Sequence, residues 1–284
     1  MMDSLVSATE LAGRLGEPGL VILDCSVAVA RRGGEARAVA MDEAFAEGHI
    51  AGALYVDVAR ALSDPASPLR FTRPRSEALG QVLAGLGIGS DSEVVLYSKE
   101  RYWTATRAFW VLANAGHKRV RLLDGGWRHW TALGLPVETG AARLPEAVPV
   151  ERWGDAGLFC DMDAVRTALE TSDTLLVNAL PPAQFSGAES NYARPGTIPG
   201  SVNIPAGALI DPQTGLFHSV SRLREIVTEA GVAFDRPVIT FCGAGVAATA
   251  AAYVLRRLGH EHVRVYDASL QEWAADPACP LVVL

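Results

Sequence analysis

The feature that most constrains the fold of this 284-residue chain is a long internal repeat. Asp124 recurs as Asp267 and Trp130 recurs as Trp273, and the members of both pairs lie 143 positions apart. A period of this length is far longer than the repeats of solenoid proteins. The sequence therefore predicts two tandem domains that share one fold.

Each copy also carries its own strand and helix patterns. Val21–Asp24 and Leu175–Asn178 are short apolar runs typical of buried strands. Apolar-rich stretches over 104–115 and 246–258 predict a helix in each copy. Residues 139–151 contain one glycine and two prolines without a sustained period, which favours a linker. We predict domains over 1–138 and 152–284 that are joined by this linker.

The second copy contains a segment suited to nucleophilic chemistry. An apolar run leads directly into Cys242, which is followed by the active-site loop Gly243, Ala244, Gly245, Val246 and Ala247 and then by a helix. Free N–H groups and the positive dipole end of a helix favour an anion, so the pattern predicts a reactive thiolate. Gly243 and Gly245 can adopt backbone angles closed to other residues, so the loop can curl around the sulfur and direct several N–H donors at it. A small buried cysteine is the alternative.

The first copy lacks this chemistry. Ser98 occupies the position of Cys242, and the residues that follow, 99–106, contain no glycine. A serine needs an adjacent base to act as a nucleophile, and its neighbours in sequence offer none. We predict that the first domain is catalytically inactive and serves as a scaffold that covers the active cleft.

Four motifs together resemble one family: Gly48-His-Ile-Ala-Gly-Ala53, Asp124-Gly-Gly-Trp127, the loop opened by Cys242, and Val265-Tyr-Asp-Ala-Ser-Leu-Gln-Glu-Trp273. On these motifs the chain resembles the two-domain rhodanese-family sulfurtransferases over nearly its whole length. The resemblance implies an α/β fold with a doubly wound, mostly parallel five-stranded sheet flanked by helices in each domain. It also implies that Cys242 takes a sulfane sulfur from a small donor, carries it as a persulfide and passes it to cyanide or a thiol without a cofactor.

The same resemblance bears on the donor. The loop is similar to that of 3-mercaptopyruvate sulfurtransferases rather than to the Arg- or Lys-rich loops of thiosulfate enzymes, although Ala244 stands in place of a serine whose hydroxyl is thought to assist proton transfer. Gln184 stands where a substrate-binding arginine is implied, and Arg194 lies within one residue of a second. Trp103 matches an aromatic that lines the cleft in related members. An ordinary exposed arginine is the alternative for Arg194.

Two other classes of function stay open. A related fold hosts phosphatases in which an arginine lies six positions after the cysteine, but here that position is Ala248. A rhodanese-fold module that binds a partner without catalysis is favoured by Ala244 and Gln184, whereas the intact Cys242 loop argues against it. Gain of one sulfur atom on Cys242 from a sulfur donor discriminates the enzyme from the module.

Composition and charge narrow the setting. The net charge of −7 and the lack of a Lys/Arg-rich run argue against a nucleic-acid surface. No apolar stretch reaches transmembrane length, and the first residues show no pattern of a signal peptide. The cysteines show no metal-binding or redox spacing, which favours a reducing, cytoplasmic setting. They are Cys25, Cys160, Cys242 and Cys279.

Overall fold

A computed structural model of the chain describes residues 4–32 and 35–284 and divides them into two compact units. Unit one is formed by the described residues up to Pro65, by Arg73–Ala156 and by Pro212–Phe217. Unit two is formed by Ala66–Thr72, Gly157–Asp211 and His218–Leu284. Each unit thus combines one half of the chain with a short segment of the other half. The predicted boundaries at 138 and 152 stay a prediction.

Unit one is built around a parallel sheet. Its strands are β1 (Leu5–Val6), β2 (Leu20–Asp24), β3 (Val27–Arg32), β4 (Glu35–Ala40), β5 (His49–Ile50), β6 (Leu54–Tyr55), β7 (Glu93–Tyr97), β8 (Val120–Leu123) and β9 (Val137–Glu138). Its helices are α1 (Ala8–Ala12), α2 (Asp42–Glu47), α3 (Ser76–Gly85), α4 (Tyr102–Asn114) and α5 (Gly126–Ala132). Five strands form one sheet in the order β1-β8-β7-β2-β6, with every neighbouring pair parallel. The pairs β3–β4 and β5–β9 are antiparallel.

Unit two repeats this plan. Its strands are β10 (Phe159–Cys160), β11 (Leu175–Asn178), β12 (Val202–Asn203), β13 (Val238–Phe241) and β14 (Val263–Tyr266). Its helices are α6 (Met162–Thr171), α7 (Pro182–Ser186), α8 (Val220–Glu229), α9 (Ala247–Arg257) and α10 (Ser269–Trp273), with a 3₁₀ turn over Ala206–Leu209. The sheet order is β10-β14-β13-β11-β12, again with parallel neighbours. The predicted pair of mostly parallel five-stranded sheets flanked by helices is confirmed.

Burial explains why these short segments form strands. All four residues of β11 and all four of β13 are buried, as expected for central strands of a parallel sheet that is covered on both faces. In unit one, Ile22 of β2 and Val95 of β7 are buried in the same core as Trp130 of α5. The apolar runs that predicted β2 and β11 therefore mark interior strands, which have a neighbouring strand on each side.

The helices are modest in length. The helices predicted over 104–115 and 246–258 are observed as α4 and α9. Among the described residues, no helix is both long enough and apolar enough to cross a membrane.

Candidate active site

Cys242 directly follows β13, the middle strand of the second sheet. Its side chain is buried, with 2% of the residue exposed. Residues 243–246 then connect it to α9, so the strand, cysteine, loop and helix occur in the predicted order. Ligands of open α/β folds bind at the carboxyl ends of the parallel strands, which is the edge where Cys242 lies.

The two glycines of the loop are required for different reasons. Gly245 has a φ of 69°, in the left-handed region, as predicted. Gly243 lies outside that region. A β-carbon at position 243 would overlap the hydroxyl of Tyr192 and lie 2.6 Å from its Cζ atom. Gly243 therefore permits a phenol to approach the backbone next to Cys242.

Ser269 holds the loop in its turn. Its Oγ accepts hydrogen bonds of 3.1 Å from the N–H groups of both Cys242 and Gly245. It donates a third hydrogen bond, of 2.8 Å, to the carbonyl of Tyr266. Ser269 is fully buried and has a φ of 56°, a conformation that costs a non-glycine residue about 1 kcal/mol or more. Because the N–H groups of Cys242 and Gly245 donate to Ser269, fewer N–H groups are left to stabilise the sulfur than the sequence predicted.

Tyr192 places a hydroxyl group at the first residue of the loop. Burial raises the pKa of its phenol, the charge of Cys242 raises it further, and Arg70 opposes these effects. The phenol is therefore protonated at neutral pH and can donate a hydrogen bond. These electrostatic effects also mean that Cys242 and Arg70 both act on the hydroxyl of Tyr192.

Gln271 joins the Ala66–Thr72 segment to the loop. Its backbone N–H donates to the carbonyl of Gly243 at 2.8 Å. Its side-chain amide accepts from the N–H of Arg70 at 3.1 Å and donates to the carbonyl of the same residue at 2.9 Å. These bonds fix the backbone of Arg70, an exposed residue, relative to the loop.

The guanidinium of Arg194 lies on a backbone turn. Its Nε and Nη2 atoms donate to four carbonyls at distances from 2.5 to 3.2 Å, namely those of Trp273, Ala274, Asp276 and Cys279. Cations commonly stabilise the carbonyls at the C-terminal end of a helix, here that of α10. The donor-binding role of Arg194 stays a prediction. The same holds for Gln184, which is half-buried in α7.

The remaining predicted site residues belong to unit one. Trp103 is half-buried near the start of α4 and packs edge-to-face against Tyr102, with ring centroids 5.5 Å apart. Its role as a cleft residue stays a prediction. Ser98 follows β7, and its Oγ accepts a hydrogen bond of 3.1 Å from Thr104.

Sequence reasoning missed Ser269, Tyr192 and Arg70. Ser269 lies inside a motif used for the family resemblance, and the repeat spacing places Gly126 opposite it, so the gain of a hydroxyl in the second copy was visible. Tyr192 lies two residues before Arg194, in a segment that was searched only for arginines. No comparable signal pointed to Arg70.

Comparisons with known proteins agree with this geometry. The family model of the rhodanese-like domain matches residues 7–133 and 161–276. The 3-mercaptopyruvate sulfurtransferase of Escherichia coli (strain K12) is 32% identical over 280 residues, which cover 97% of this chain and 96% of that protein. A putative thiosulfate sulfurtransferase of Mycolicibacterium smegmatis is 30% identical over 247 residues, which cover 84% and 87% of the two chains.

A solved structure shows the same similarity in three dimensions. The crystal structure of SseA from Escherichia coli, described as showing the rhodanese fold and catalytic mechanism of 3-mercaptopyruvate sulfotransferases, superimposes with a TM-score of 0.83 at 29% identity. The match covers 94% of this chain and 98% of that one. The similarity therefore extends over both units.

Proposed function

The chain belongs to the rhodanese-like domain family and is a sulfurtransferase, and from this premise we propose that Cys242 carries the transferred sulfur and that 3-mercaptopyruvate is the preferred donor. The observation that carries the donor preference is the loop itself. Residues 243–247 provide backbone N–H groups and no cationic side chain. Such a loop stabilises one developing negative charge better than the two charges of thiosulfate.

The reaction uses Cys242 twice. Its thiolate attacks the donor sulfur, and the bond between that sulfur and its carrier breaks, which leaves a persulfide on Cys242. An acceptor such as cyanide or a thiol then removes the outer sulfur and regenerates the thiolate. All four cysteines of the chain are free, which agrees with a reducing, cytoplasmic setting in which small thiols act as acceptors.

The carboxylate of the donor needs a cation, and two arginines of unit two are candidates. Arg194 was predicted from the sequence, but its guanidinium donates to the four carbonyls around α10. Arg70 is exposed, its backbone is bonded to Gln271, and its charge acts on the hydroxyl of Tyr192 beside Gly243. We assign the carboxylate to Arg70, because a guanidinium there can bind it in a two-pronged geometry.

Steady-state kinetics with both donors test this proposal. We expect kcat/KM to be higher for 3-mercaptopyruvate than for thiosulfate when cyanide is the acceptor. Arg70→Ala should raise KM for 3-mercaptopyruvate by about tenfold, the value of one charge-assisted hydrogen bond, and Arg70→Lys should recover only part of it. Arg194→Ala is the matched comparison. A selective loss in Arg194→Ala, with none in Arg70→Ala, returns the carboxylate to Arg194.

Intact mass provides the direct test of the carrier. Wild-type protein should gain one sulfur atom after exposure to 3-mercaptopyruvate, and Cys242→Ser should gain none. A protein that gains no sulfur from either donor contradicts the catalytic role and favours the partner-binding module.

A further inference from the structure

The active-site loop contains no side-chain hydroxyl of its own. Its residues are Gly243, Ala244, Gly245, Val246 and Ala247. The nearby hydroxyl of Ser269 donates to the carbonyl of Tyr266 and accepts from two loop N–H groups. The hydrogen-bonding role of Ser269 is therefore structural. The hydroxyl of Thr249 donates to the carbonyl of Val246 at 2.7 Å, which is also a structural bond. The hydroxyl that approaches the residue next to Cys242 is that of Tyr192.

Tyr192 can lie against the loop because position 243 has no side chain. A β-carbon there would overlap Oη and would lie 2.6 Å from Cζ and 3.1 Å from Cε1. The phenol therefore approaches the residue next to Cys242 with its polar end rather than with the face of its ring. At the other end of the residue, Ser190 Oγ donates to the Tyr192 carbonyl and accepts from the Tyr192 N–H, both at 3.2 Å.

The electrostatic environment keeps the proton on this phenol. Burial and the charge of Cys242 both raise its pKa, and Arg70 acts in the opposite direction. A phenol on which a thiolate and a guanidinium both act can give up its proton during a reaction if another group replaces it at once. Such a group is a proton relay and not a permanent base.

Sulfur transfer from a mercapto-acid requires that a proton reach carbon. When the bond between sulfur and carbon breaks, its electron pair goes to the carbon, and the product leaves as an enolate that must take up a proton. Thiosulfate differs, because its leaving group is sulfite and needs no proton. The two donors therefore place different demands on a hydroxyl at the loop.

We propose that Tyr192 is a catalytic residue whose hydroxyl relays a proton from the thiol of the mercapto-acid donor to the departing enolate. This inference rests on the proposed use of 3-mercaptopyruvate and deepens it. The thiolate of Cys242 forms the new sulfur–sulfur bond, and the carbon–sulfur bond breaks. Tyr192 donates its proton to the enolate and recovers one from the newly bound sulfur. The products are pyruvate and a deprotonated persulfide. The two sulfur atoms that form the new bond are together oxidised by two electrons, the carbon is reduced by two, and no outside proton or electron is needed.

Single-turnover loading of Cys242 tests the relay. Tyr192→Phe keeps the ring against Gly243 and removes only the hydroxyl. We expect its rate of sulfur gain from 3-mercaptopyruvate to fall by about a hundredfold, the lower range of general acid–base catalysis. Loading from thiosulfate and discharge of the persulfide to cyanide should stay within about threefold of the wild-type rates, since neither step moves a proton to carbon. Tyr253→Phe, at a buried tyrosine of α9 outside the loop, controls for loss of a hydroxyl.

The outcomes separate the relay from the donor assignment. If wild-type protein gains no sulfur from 3-mercaptopyruvate, the proposed donor is wrong. If wild-type protein gains sulfur and Tyr192→Phe gains it equally fast, the donor stands and the relay is wrong. An equal loss with both donors indicates that Tyr192 only shapes the loop, which also overturns the relay.

A second measurement does not depend on the variant. Loading of the wild type from 3-mercaptopyruvate should be slower in D₂O than in H₂O at matched pL, whereas loading from thiosulfate should be equal in both solvents. Equal rates in the two solvents for 3-mercaptopyruvate would overturn the proposal even if Tyr192→Phe failed to fold.

Discussion

In unit two the residue after β13 is Cys242, and the N–H groups of Cys242 and Gly245 both donate to the hydroxyl of Ser269. In unit one the residue after β7 is Ser98, and the position equivalent to Ser269 is Gly126. Gly126 has a φ of 52°, and a β-carbon there would lie only 2.8 Å from the carbonyl oxygen of Ser98. The backbone bends in the same left-handed way in both copies, but only the second has room for a hydroxyl that holds the loop.

The next position differs as much. Lys99 follows Ser98 and donates its ammonium group to the carbonyls of Ala44 and Gly48, with the nitrogen 4.7 Å from the ring centroid of Trp127. Burial lowers the pKa of Lys99, and Asp24 opposes this shift. The equivalent position in unit two is Gly243, where the hydroxyl of Tyr192 approaches the backbone.

The comparison teaches that the nucleophile is one part of a set. A cysteine at position 98 would have Gly126 in the place of Ser269 and Lys99 in the place of Gly243. Placing a cysteine at position 98 alone is therefore not expected to create a second active site. Removing Cys242, Ser269 or the Tyr192 hydroxyl from unit two should lower the rate of sulfur transfer.

The largest expected effect is that of Cys242→Ser, which gives unit two the same residue type as unit one. A hydroxyl stays protonated where a thiol ionises and forms no persulfide, so thiocyanate production from cyanide should fall by on the order of a thousandfold or more. Cys160→Ser is the matched control, since burial raises the pKa of the Cys160 thiol to about 12 and keeps it unreactive. Circular dichroism should show an unchanged fold, and wild-type thiocyanate production by Cys242→Ser would break the comparison.

Ser269→Gly gives unit two the residue that unit one has at the equivalent position, Gly126. Removal of the hydroxyl leaves the N–H groups of Cys242 and Gly245 without their observed acceptor, and we expect kcat to fall by on the order of tenfold. Glycine also accommodates the φ of 56° without strain, so the melting temperature should change less than in Ser269→Ala, which loses the hydroxyl and keeps the strain. Equal activity in wild type and Ser269→Gly would show that the loop holds its shape without this residue.

Acid pH should affect the two units alike, because His117 and His260 are equivalent and both are buried. Burial lowers the pKa of each imidazole in the folded protein. Below about pH 6.5 the unfolded chain binds protons that the folded chain does not, so the free energy of unfolding should decrease as pH falls from about 7.5 to 5.5. Urea unfolding across this range measures the slope. His117→Gln and His260→Gln should each flatten it, and an unchanged slope in both variants would contradict the assignment.

The smallest expected effect is that of Ser98→Ala. If the first loop is inactive, turnover with either donor should match the wild type. A loss of more than about tenfold, which corresponds to about 1.4 kcal/mol of barrier, would show that Ser98 takes part in the reaction.

The repeat explains why the fold was predictable. Two copies of each strand pattern, such as β2 and β11, supported one another, and the apolar runs coincided with interior strands of each sheet. The position of Cys242 was predictable for a different reason, because the strand, the cysteine and the helix follow one another directly in the sequence. Local patterns also indicated correctly that Gly245 adopts a left-handed conformation.

The remainder of the site depends on contacts between distant parts of the chain. The sequence indicated that Gly243 gives the backbone freedom, whereas its constraint in the structure is the phenol of Tyr192, which lies 51 positions earlier in the chain. Arg70 reaches the loop through the side chain of Gln271, and no periodicity or motif encodes that bond. Sequence reasoning therefore located Cys242, the proposed nucleophile, and missed the groups that lie around it.

The short segments exchanged between the halves have a consequence for how such a protein can evolve and be dissected. Ala66–Thr72 is encoded before the predicted linker yet belongs to unit two, and Pro212–Phe217 is encoded after it yet belongs to unit one. A gene fragment that starts at the linker would supply Cys242 and Gln271 without the Arg70 segment that Gln271 bonds. Neither half of the chain therefore contains a complete unit. Recombination that borrows one half inherits an incomplete unit, so the pair must be passed on together.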